Sequence, residues 1–165
     1  EEEYKDSSRR LVDHEESFPH TWNILPDFRM EAPQNYEDAI CADVREQSLR
    51  DHIILTGPTD FLSYDLPVTM KQPDGGLPAV VLFNTEKPSE KQWKLASRRA
   101  VVFIVEGSAL NKKDLKRAGV ETAKIFVVMS KRDPTNHSVV APDMDSVITF
   151  FAVTNMRPTL DIRLE

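Results

Sequence analysis

Apolar residues recur along this chain as short, nearly continuous runs separated by polar stretches. The clearest are Val101 to Val105, Ile125 to Met129 and Leu160 to Leu164, preceded by His52 to Gly57 and Ala79 to Asn84. The third and fourth runs in chain order, Val101 to Val105 and Ile125 to Met129, are rich in β-branched and aromatic residues and barely alternate. A strand reads this way when both faces of its sheet are covered, as in a parallel sheet. Between the runs lie helical patterns. Asn111 can cap a helix over Lys112 to Ala118 that Gly119 ends. Pro88 opens another that carries Trp93 and Ala96 toward the sheet. Asp145 to Met156 forms the last, capped by Asp145 and stopped by Pro158. Phe61, Leu62 and Leu66 suggest a further helix, cut short by Pro67 and by the loop Pro73 to Gly76.

Strand, crossover helix and parallel strand, repeated, make a Rossmann-like, doubly wound α/β sheet of five strands. Right-handed crossovers send the second and third strands to one side of the first and the last two to the other, so the expected order is 3-2-1-4-5. Residues 1–50 read differently. The charges from Glu1 to Glu16 make a polar tail, followed by Phe18, Trp22 and Leu25 among prolines, an extended segment laid over the folded body. Asn35 can cap a short helix in which Tyr36, Ile40 and Val44 share a face. The expected division is therefore a lead of residues 1–50 and a Rossmann-like unit of residues 51–165.

Composition narrows the function classes. The net charge of −6 opposes a nucleic-acid partner, and a single cysteine, Cys41, forbids an internal disulfide or a cysteine zinc site. No apolar run reaches the roughly 18 residues of a membrane span. The first strand-to-helix turn, Gly57 to Leu62, keeps one glycine of the three a dinucleotide site needs. Thr59 stands where backbone should meet phosphate, and Asp60 would repel it. The second strand ends in Asn84 rather than an acidic ribose ligand, although Glu86 is near. No nucleophile elbow, P-loop or zinc-protease motif occurs, so no catalytic or cofactor residue is assigned. His14, His20, His52 and His137 share no ligand spacing, and His52 reads as a structural, hydrogen-bonded residue. Cys41 reads as an inert, half-buried thiol. Asp133, Asn136, Asp143 and Asp145 offer hard oxygens without the spacing of an EF-hand, and no metal is assigned to them.

Several stretches carry a family resemblance. Gly107 to Ala118, then Glu121, Thr122, Ala123 and the strand through Met129, resemble the middle of an RCK domain, the regulator of potassium conductance. Asp145 to Pro158 is similar to that family's fourth helix and the approach to its fifth strand. Lys91 to Leu95 and Tyr36 to Ile40 resemble the second of the two tandem copies in large-conductance, calcium-activated potassium channels. The resemblance implies a cytoplasmic gating-ring domain that couples an intracellular ion or ligand to pore opening. Its partners would be other RCK domains and a potassium pore, with calcium one candidate effector. The acidic calcium loop of those channels has no counterpart here, and the chain is expected to be part of a longer protein. The other classes kept open are a nucleotide-binding subunit of a potassium-uptake system and a degenerate NAD-binding redox protein.

One helix carries the site expectation. No charge occurs between Asp145 and Arg157. At about 100° per residue, Val147 and Phe151 fall on one side, Ile148, Ala152 and Met156 on the next, and Phe150 and Val153 on a third. A helix on a sheet buries one stripe. Val147, Ile148, Phe150, Phe151, Val153 and Met156 are therefore expected to form an assembly interface, the use the resemblance implies for this helix. The alternative cover is a later part of the same chain.

Overall fold

The computed structural model describes residues 32–58, 77–129 and 144–164. The expectations for the tail, for Phe18 and Trp22, for the helix at Phe61 to Leu66 and for the loop at Pro73 to Gly76 lie outside these residues. The strands are β1 (Ile53–Thr56), β2 (Ala79–Asn84), β3 (Val101–Glu106), β4 (Ile125–Val128) and β5 (Asp161–Leu164). They form one parallel sheet in the order β3-β2-β1-β4-β5, as the crossover argument requires.

Both faces of the sheet are covered, which accounts for the unbroken apolar runs. One face carries Ile54, Val81, Phe83, Phe103, Val105, Phe126 and Val128, packed beneath α3 (Lys112–Arg117) and α4 (Met144–Met156) through Leu115 and Val153. The other carries Ile53, Leu55, Val80, Leu82, Val102 and Ile104, covered by α2 (Glu90–Ala96) through Trp93 and Ala96 and by α1 (Tyr36–Ala39) through Ala39. Alternate residues of one strand thus enter two different clusters.

Three local expectations change. Pro88 precedes α2 rather than opening it, because Ser89 and Gln92 form a reciprocal capping box that fixes the helix start at Glu90, two residues later. Asp145 is no cap; it lies in the first turn of α4, which begins at Met144. The helix from Tyr36 ends at Ala39, because Ile40 turns extended and bridges Ile104 of β3, and a separate 3-10 turn covers Val44–Gln47. A β-branched residue gains more as an added sheet partner than in a second helical turn. Ala39, Val44 and Leu49 are buried, so the packed body reaches back before residue 51.

The outer edge of β3 is closed by three unrelated donors. The Trp93 indole N–H donates to the Val102 carbonyl at 3.2 Å, the Cys41 amide to that of Ile104 at 2.9 Å, and the Arg117 guanidinium to that of Glu106 at 2.7 Å. A free strand edge is a template for pairing, and here every second carbonyl is occupied.

Candidate functional site

Two features can carry function: a crevice at the C-terminal ends of the strands, and the outer face of α4. The crevice opens where the strand order reverses, between β1 and β4, the usual ligand position of a doubly wound sheet. It is a cavity of about 420 Å³ bordered by Thr56, Gly57, Asn84, Glu86, Ser108, Asp145 and Thr149. Among the described residues no Lys, Arg or His lines it, while Glu86 and Asp145 put carboxylates at its border. That lining disfavours a pyrophosphate.

The glycine turn is used for packing. Gly57 has φ +122°, and a Cβ there would lie 2.2 Å from the Met129 carbonyl oxygen. The missing side chain thus admits the backbone that follows β4. The Gly57 amide donates to Asn84 Oδ1 at 2.8 Å, and the Thr56 hydroxyl to the same atom at 3.3 Å. Asn84, read from sequence as a missing ribose ligand, instead joins the ends of β1 and β2. This role was hidden because the partners lie 27 and 28 residues apart; the only signal was an amide at the end of an apolar run. Thr59 and Asp60 of the same turn, and Asp133, Asn136 and Asp143 of the hard-oxygen set, lie outside the described residues.

The segment that carries the resemblance is also structural in its details. A Cβ on Gly107 would meet the Phe83 ring at 2.8 Å and Asp114 at 2.9 Å, so only glycine fits. Asp114 accepts from the Ser108 amide at 3.1 Å and from Arg117 at 2.8 Å. Arg117 donates at the same time to the Ala42 carbonyl, at 2.7 Å, and so ties the lead to α3 and to the end of β3. Asn111 caps α3 through the Lys113 amide, and Gly119, at φ +76°, follows its end.

The remaining reactive groups are quiet. Burial, with the Asp43 and Glu46 carboxylates adding to it, pushes the Cys41 thiol up to about 11. A thiol held there carries little thiolate near neutrality. His52 is wholly buried, its Nε2 3.2 Å from the Ala118 carbonyl, in keeping with a structural residue.

On α4 the residues divide by face. Ser146, Thr149 and Val153 are buried against the sheet, and Ala152 and Met156 are packed beside them. Met144, Ile148 and Phe151 are exposed by 72%, 43% and 59%. Thr149 and Phe151 are about 200° apart around the helix, so the apolar stripe lies opposite the sheet. Of the six expected interface residues, Val153 is corrected to the core, where it is sealed on every side. Val147, Phe150 and Met156 are half-buried, and Ile148 and Phe151 face outward. Phe150 and Phe151 meet edge to face, with centroids 5.8 Å apart.

A parallel sheet ordered 3-2-1-4-5, with a glycine turn sealed by backbone and an outward apolar helix, defines a Rossmann-like domain with a modified nucleotide crevice. The chain belongs to the family described as the calcium-activated potassium channel slowpoke-like RCK domain, which it matches over residues 48–164. Among solved structures it is similar to that of the human SLO3 gating ring, with 19% identity and a TM-score of 0.44 over 68% of this chain. It spans 19% of the length of that chain. Comparison with curated proteins returns no match.

Proposed function

We propose that this domain is a regulatory unit of a potassium channel, working on the cytoplasmic side of the membrane. It would assemble through the outer face of α4 with other RCK domains into a ring that couples an intracellular ion or ligand to the pore. The observation that carries this reading is the stripe of Met144, Ile148 and Phe151, exposed on a helix without charge between Asp145 and Arg157, in a member of the Slo-like RCK family. Among the described residues no helix is long and apolar enough to cross a membrane, so the pore would belong to another part of the protein. The role is regulatory rather than catalytic, with calcium one candidate effector. An effector would open the pore only by as much as it prefers one shape of the ring over the other.

The test is self-association measured by analytical ultracentrifugation, with circular dichroism as the control for folding. Phe151→Ala should keep the parent spectrum and weaken association. Association unchanged in a folded Phe151→Ala, and again in Ile148→Ala, would remove α4 as the interface. A nucleotide-binding role is disfavoured because the Gly57 amide already donates to Asn84 and, among the described residues, the crevice lining holds no cation. Calorimetry with NAD(H) should show no binding at low micromolar concentration.

A further inference from the structure

We propose that His52 is an acid-labile pin that fastens the turn of residues 118–123 to the start of β1, and through that turn the C-terminal end of α4. The ring is wholly buried. A carbonyl only accepts, so the contact between Nε2 and the Ala118 oxygen places the proton on Nε2 and leaves Nδ1 bare. Among the described residues, Nδ1 is buried without a hydrogen-bond partner. The ring is tight against Gly119, where a Cβ would lie 2.9 Å from its Cε1 and 3.0 Å from its Nε2.

The turn that the ring holds is shared by several fasteners. The Lys124 amide donates to the His52 carbonyl at 2.8 Å, and the Asp51 amide to that of Thr122 at 2.9 Å. From the end of α4, Arg157 donates to the Val120 carbonyl at 3.0 Å and also to that of Ala123. Opening the turn at Ala118 therefore endangers the bonds that hold Arg157, one residue beyond the helix carrying Ile148 and Phe151.

Protonation supplies the opening force. It adds an Nδ1–H that has no acceptor and puts a positive charge in a buried site. Burial opposes the cation most, and the Arg157 guanidinium after α4 adds to it, while the accepting Ala118 carbonyl and the Asp51 carboxylate before β1 favour the cation. Asp51 is exposed and screened, so burial prevails and holds the ring below its usual 6.5. The sign follows from that direction. The unfolded chain takes up the proton near 6.5 and the folded one only lower, so the stability present above 6.5 is lost progressively as pH falls below it.

Hydrogen exchange, corrected for the intrinsic pH dependence, tests this on the present chain at pH 7.2 and 5.5, alongside a proton NMR titration of the His52 ring in the parent. Peptides covering residues 118–124 and 153–160 should lose protection by about tenfold at the lower pH, while those of β3 keep theirs, and the ring should titrate below 6.5. His52→Gln keeps an N–H for Ala118 but cannot titrate, and should show no local change. Equal loss in parent and His52→Gln, uniform loss across all peptides, or no loss at all would each overturn the pin. If His52→Gln does not fold, the parent decides: the local loss must begin near 6.5 and level off where the ring itself titrates, and a loss that continues below the ring titration, or never begins above it, overturns the proposal.

Discussion

At Gly57 a single backbone angle decides how the crevice is built. Replacing it with alanine forces an L residue to φ +122° and drives Cβ into the Met129 carbonyl. Strain of this kind costs about 1–3 kcal/mol even without a clash. Gly57→Ala should therefore lower the urea midpoint by at least that equivalent. A midpoint nearly unchanged would mean that Gly57 does not hold this backbone angle. Cys41 gives a second residue-scale expectation. With its thiol pushed up to about 11, alkylation at pH 8 should be slow in the folded chain and rapid in denaturant. Equal rates in the two states would mean that the thiol is not shielded as the fold places it.

Elements were more legible than their attachments. The five strands and their order followed from apolar runs and crossover handedness, because both are properties of neighbouring residues in sequence. The contacts made by Asn84, Ile40 and Arg117 were not legible, since each joins groups brought together only by the finished sheet. The orientation of α4 was hidden for a different reason. A helix apolar on every side gives no preferred stripe, and the structure turns inward Ser146, Thr149 and Val153, whose small or β-branched side chains let the helix lie close to the sheet. Size settled what hydrophobicity left open. Val153→Ala should consequently cost roughly 1–3 kcal/mol by leaving a cavity, whereas Phe151→Ala should stay within about 0.5 kcal/mol of the parent. Comparable losses in chemical denaturation would mean that the helix is rotated from this placement. Arg117 makes the matching argument for α3. One planar fork spans Ala42, Glu106 and Asp114, so Arg117→Lys, which keeps the charge, should lose nearly as much stability as Arg117→Ala.

For the whole molecule, the proposed interface must work against charge. Two copies of a chain with net charge −6 repel each other, and the repulsion acts over about 10 Å at 0.1 M salt. The α4 stripe offers no charge of its own to offset this, because its exposed members are Met144, Ile148 and Phe151. Association through that stripe should draw on apolar burial, near 25 cal/mol per Å², while net charge opposes it. Salt then distinguishes the two possible kinds of contact. Raising it from about 0.05 M to 0.5 M shortens the screening length toward 4 Å. Apolar association should tighten as repulsion fades, whereas contacts built on the basic side chains of α2, such as Lys91 and Lys94, would loosen as attraction fades. Sedimentation velocity at the two salt concentrations reads the difference directly. A shift toward larger species at high salt in the parent, absent in Phe151→Asp, is the expected result. Dissociation at high salt would place the contact on charged surface elsewhere in the fold.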